Sequence, residues 1–169
     1  MKVAGIILAI VLAVAAQTTI ARHVAGGSAV DLVLVVVVYV ALSSGSVAGL
    51  LTGTVAGLIQ DSLLSTGLIG IGGLAKSIVG FVAGIIGTQF IVTQPLARFL
   101  VFFVATVAHQ AITIGLSVVL GQQSFAVPYA AVAGEALANA VVGVAAFQLA
   151  ELLPGAVERR RMGKGRLRR

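Results

Sequence analysis

Apolar residues run in long, nearly unbroken stretches along this chain, and polar residues fall mostly between the stretches. The runs predict six helical spans, over about 3–21, 30–44, 46–62, 68–91, 96–120 and 128–153. A helix of roughly 20 apolar residues crosses a hydrocarbon core of about 30 Å. A β-barrel would need alternation of apolar and polar positions, which these runs lack. Spans two and three are short, and only Ser43-Ser44-Gly45-Ser46 separates them. Pro95, Pro128 and Pro154 are expected to mark span ends, because proline has no N–H to continue a helix. Lys2, an apolar run and Ala13-Val14-Ala15-Ala16 have the form of a cleaved signal peptide. The apolar stretch continues in register through Ile20, so it reads as a retained first span.

Within the spans, small residues recur every fourth position. The stripes are Gly5, Ala9, Ala13 and Gln17; Gly49, Gly53, Gly57 and Asp61; Gly72, Lys76, Gly80, Gly84 and Thr88; and Ala131, Glu135, Asn139 and Gly143. Residues four apart share a helix face, and small ones let another backbone approach closely. Gly49, Gly53, Gly57, Gly80 and Gly84 are therefore expected at helix contacts or a partner interface. The sequence predicts an all-α membrane protein: a compact bundle of six transmembrane helices over 1–155, with a basic tail over 156–169.

Polar side chains inside spans are costly and by default mark pairing or functional sites. Gln17, Asp61, Lys76, His109, Glu135 and Asn139 are the candidates. At about 1.5 Å per residue, Lys76 and Glu135 each lie roughly 12 Å below the outer ends of their spans, so they are expected to pair. Asp61 lies close to the outer surface, where it reaches headgroups, water or a partner chain, or competes for Lys76. His109 and Asn139 fall near mid-membrane, and His109 reads as a satisfied interior histidine ahead of a proton relay.

Composition sharpens this picture. Apolar residues make up 59% of the chain and charged residues 9%, against about 25% charged in a soluble domain. Mean hydropathy is +1.14. With no cysteine, disulfides and thiol chemistry are excluded. The net charge of +6 is concentrated: Arg159, Arg160, Arg161, Lys164, Arg166, Arg168 and Arg169 close the chain. Without interleaved aromatics to stack on bases, this tail reads as a cytoplasmic anchor against anionic lipid and not as a nucleic-acid site. Placing both termini in the cytoplasm puts Lys2, Arg98 and the tail inside and leaves Arg22 alone outside, as the positive-inside bias requires.

No catalytic constellation is evident. Asp31 and Asp61 lack the flanking Tyr and Gly-x-Gly of intramembrane aspartyl proteases. The serines at 43, 44 and 46 are not in a Gly-x-Ser-Gly setting, His109 has no evident nucleophile to activate, and no phosphate-binding loop is present. No cofactor is expected.

Gln17-Thr18-Thr19, Asp31-Leu32-Val33-Leu34, Tyr39, Gly49, Gly53, Gly57-Leu58, Asp61, the Ser65–Gly70 turn, Gly80 and Gly84 resemble the MreD family of bacterial rod shape-determining membrane proteins. The resemblance covers roughly residues 17–84. Val30 stands where the family pattern has a proline, and the turn after Asp61 also lacks one. The resemblance implies a non-catalytic subunit of the cell-elongation machinery in the cytoplasmic membrane. It implies binding to MreC, and through MreC to the RodA glycosyltransferase and a class B penicillin-binding protein, with MreB filaments on the cytoplasmic side. It also implies a fold similar to the substrate-binding subunits of energy-coupling-factor vitamin transporters. A small-molecule-binding transporter subunit is the alternative reading. Two tyrosines and no tryptophan give few aromatic walls for a pocket, which favours the assembly subunit.

Overall fold

The computed structural model describes the backbone of residues 3–23, 30–64, 70–89, 94–121 and 129–166, and side chains over 4–19, 30–63, 70–89, 94–121 and 129–152. The turn at 65–69, Pro128 and the side chains of Lys2, Arg22 and the tail lie outside the description. Six helices follow one another: α1 (Val3–His23), α2 (Leu32–Ser44), α3 (Ser46–Leu64), α4 (Ile71–Gln89), α5 (Pro95–Val119) and α6 (Tyr129–Arg166). Among the described residues, three segments are long and apolar enough to cross a membrane: Ile71–Gln89, Pro95–Val119 and Tyr129–Leu152. Ala4–Thr19 and Leu32–Ser44 are shorter apolar helices.

Pro95 occupies the first turn of α5, where its missing N–H costs nothing. Pro154 does not end α6 as expected. The helix runs through it. Between α2 and α3 the chain turns on one residue, Gly45, whose φ of 92° suits glycine and whose N–H bonds Ala41 O at 2.9 Å.

Helix α2 is the axis of the bundle. It packs on all five other helices, while α1, α3, α4, α5 and α6 follow one another around it, each touching the next. Among the described residues α1 and α6 do not meet. On one side Leu34, Val35, Val38 and Ala41 of α2 pack with Val79, Ala83, Phe102, Ala105 and Ala140. On the other, Val33 and Val37 pack with Ile10, Ala13, Val14 and Ala56. A helix apolar all round is what a fully buried element requires. Its four consecutive valines would be poor helix formers in water. In an apolar surround every backbone group must find an internal partner, and that requirement overrides the propensity.

Helices α3 and α4 form the closest contact. A Cβ added at Gly49 would overlap the Gly80 carbonyl, one at Gly53 the Lys76 backbone, and one at Gly57 the Gly73 Cα. Gly84 approaches Ser46 in the same way. Thr54 and Ser77 hydroxyls bond across this seam at 2.7 Å. In α6, Gly143 accommodates the Phe102 ring. By contrast Gly5, first in the α1 stripe, is exposed and faces open space, and Thr88 at the end of the α4 stripe is exposed.

Candidate functional site: a buried polar cluster at the start of α2

With 13 residues, α2 is about 20 Å long, well short of a hydrocarbon core. Its N-terminus therefore opens inside the bundle, and the free N–H groups of its first turn need partners. Three side chains supply them. Asp31 is the N-cap, its Oδ1 accepting from Leu34 N at 2.9 Å. Gln17 of α1 accepts from Leu32 N at 2.9 Å through Oε1 and donates to Val30 O at 3.0 Å. Asn139 of α6 accepts from Asp31 N at 2.9 Å and donates to Thr106 Oγ1 of α5 at 3.2 Å. Thr106 in turn donates to Phe102 O at 2.9 Å.

The free oxygen of the cap carries the charge balance. Asp31 Oδ2 lies 2.8 Å from Lys76 Nζ, and the two side chains are only 10% and 3% exposed. Lys76 Nζ also stands 3.2 Å from His109 Nε2. An ammonium has only donors, so Nε2 must accept and the imidazole is the neutral tautomer with its proton on Nδ1. Nδ1, and Thr113 Oγ1 one turn further along α5, are buried without a hydrogen-bond partner among the described residues. The cluster thus joins α1, α2, α4, α5 and α6 through one ion pair and a chain of hydrogen bonds.

The expected pairing of Lys76 with Glu135 is not made. Matching depths assumed that each span starts at the membrane surface. Asp31 begins inside the bundle, comes within reach, and takes Lys76. Glu135 is half-buried and accepts from Gln110 Nε2 at 2.6 Å. Asp61 is not the competitor for Lys76 either. Its Oδ2 accepts from Gly70 N at 2.9 Å and Gly73 N at 3.1 Å, capping the first turn of α4 across the α3–α4 connection. Gly72 is packed against this carboxylate, where a Cβ would strike it. So Gln17, Lys76, His109 and Asn139 come together, while Asp61 and Glu135 are bonded elsewhere.

The sequence reading missed Asp31 as the partner of Lys76. The signal was present: an aspartate immediately before an apolar helix is an N-cap signature, and a helix of 13 residues cannot place both ends at the surfaces. It also missed the pair at the far end of the bundle. Arg98 of α5 bonds Glu151 of α6 at 2.5 Å and lies 4.5 Å from the centre of the Phe147 ring, which packs on Tyr39. No group of three or more potential metal ligands occurs among the described residues.

Chemically, the cluster is built to fasten helices: each charge is met by a charge or by oriented dipoles, in surroundings with little water to compete. No curated protein and no solved structure matches the chain. The sequence model of the family described as rod shape-determining protein MreD matches residues 2–153. The chain belongs to the MreD family of rod shape-determining membrane proteins.

Proposed function

We propose that this chain is a non-catalytic integral membrane subunit of the bacterial cell-elongation machinery, which binds MreC and supports peptidoglycan synthesis along the side wall. The observation that carries the proposal is the family match over residues 2–153. Through MreC the chain joins RodA and its class B penicillin-binding partner, with MreB on the cytoplasmic side. It resides in the cytoplasmic membrane, crosses it six times, and keeps both termini inside. The charge bias favours this orientation, because the tail alone holds seven of the eleven Lys and Arg residues.

The polar geometry supports an assembly role over chemistry or ligand capture. Asp31, Lys76 and Asn139 are bonded across helices to one another and to Thr106. A groove of about 260 Å³ between α4 and α5, lined by Val79, Ala83, Leu100 and Val104, is apolar. The test is depletion and co-purification. Loss of the chain is expected to turn rods into round cells, and the full-length tagged chain is expected to recover MreC from solubilised membranes. Rods that keep their shape, together with no MreC in the purified fraction, would overturn the reading.

A further inference from the structure

Glu135 is the one described carboxylate within the helical bundle that is left with a single neutral partner. Asp31 is paired with Lys76, Glu151 with Arg98, and Asp61 caps α4 with two backbone N–H groups. Both described cationic side chains, Lys76 and Arg98, are thus already engaged by other carboxylates. Glu135 has the Gln110 amide, and among the described residues no cation is bonded to it. It lies six residues from the start of α6, about 9 Å along the helix axis. A carboxylate at such a depth in a membrane span ordinarily signals a partner.

The surface around Glu135 is open. It sits at the seam of α5 and α6, and its neighbour Gly134 is exposed with nothing within 4 Å of the position a Cβ would take. Gly115 on α5 is open in the same way. Ala131, one turn before Glu135 on the same side of α6, is exposed. A second helix can therefore approach the α6 backbone closely beside the carboxylate, where water is scarce and a charge pair is strong.

We propose that this face of α6 receives a transmembrane helix of a partner protein, and that the helix presents a lysine or arginine to Glu135. The choice of occupant rests on charge complementarity. An acyl chain leaves the carboxylate unpaired, and a second copy of this chain has its described cations already bonded. The inference deepens the proposed partnership with MreC, which it takes as given, by assigning the docking face and the recognition chemistry.

The experiment uses the full-length chain co-expressed with full-length MreC in membranes. Photo-crosslinking residues are placed at Ala131 and Gly134, and at Val55 on α3 as a distant exposed control. Cross-links to MreC are expected from the two α6 positions and not from Val55. Glu135→Gln preserves size and polarity but removes the charge. It is expected to lower MreC recovery at least tenfold at unchanged abundance of the chain. Normal MreC recovery by Glu135→Gln, or cross-links from Ala131 and Gly134 only to lipid or to a second copy, would overturn the assignment. If Glu135→Gln also lowers abundance, the cross-links from Ala131 in the otherwise native chain decide alone. Wild-type chain that recovers no MreC would defeat the partnership itself, whereas wild-type recovery with cross-links on another face would defeat only the docking site.

Discussion

Lys76, in the second turn of α4, bonds Asp31, the residue that starts α2, across 2.8 Å and 45 positions of sequence, which is 76 minus 31. The same carboxylate caps α2 through its other oxygen. One side chain thus fixes both the position of a helix start and the neutralisation of a buried cation.

Breaking that pair leaves a buried charge unpartnered, at a cost on the order of 3 kcal/mol. Asp31→Asn and Lys76→Met are each expected to lower membrane abundance and thermal stability in detergent. Exchanging the two residues should recover only part of the loss. A lysine at 31 cannot accept from Leu34 N, and a lost N-cap costs about 1 kcal/mol. Exchanging Lys76 with Glu135 should give no recovery. Full rescue by that second exchange would mean that Lys76 pairs with Glu135 in the membrane.

The α3–α4 seam predicts a graded response to added carbon. Gly53→Ala places a methyl group on the Lys76 backbone, and Gly53→Leu is worse, because backbone cannot move aside as a side-chain tip can. Overpacking of this kind costs about 1–3 kcal/mol. Gly5→Leu, in open space, should change stability by less than about 0.5 kcal/mol. Equal melting temperatures for Gly53→Leu and Gly5→Leu would show that the seam is not tightly packed.

The bond from Lys76 fixes the His109 tautomer. In ¹⁵N-histidine-labelled protein, His109 should show a protonated Nδ1 and an unprotonated Nε2. The other histidine, His23, provides the internal comparison. A proton found on Nε2 would mean that Lys76 does not donate to His109.

Asp61 offers a contrast between a cap and a partner-binding charge. Asp61→Asn keeps a carbonyl oxygen for Gly70 and Gly73, so stability should shift by no more than about 0.5 kcal/mol, whereas Asp61→Ala should cost about 1 kcal/mol. Melting of the purified variants checks both. A loss of MreC recovery in Asp61→Asn at normal stability would give Asp61 a role beyond capping α4.

Sequence alone determined the helices and the close α3–α4 contact. Apolar runs have only one hydrogen-bonded form in an apolar surround, so all six elements were legible to within a few residues, apart from the continuation of α6 past Pro154. The fourfold glycine spacing marked the α3–α4 face, because steric access is a local property that a period reveals. What only the tertiary structure decided was which charge meets which. Depth along a helix can be counted from sequence only when the helix begins at the membrane surface. α2 is too short for that, and the central position of its N-terminus follows from the packing of five helices around it. That burial brought Asp31 to Lys76 and left Glu135 with Gln110, a choice set by three-dimensional proximity in a medium where the nearest opposite charge prevails.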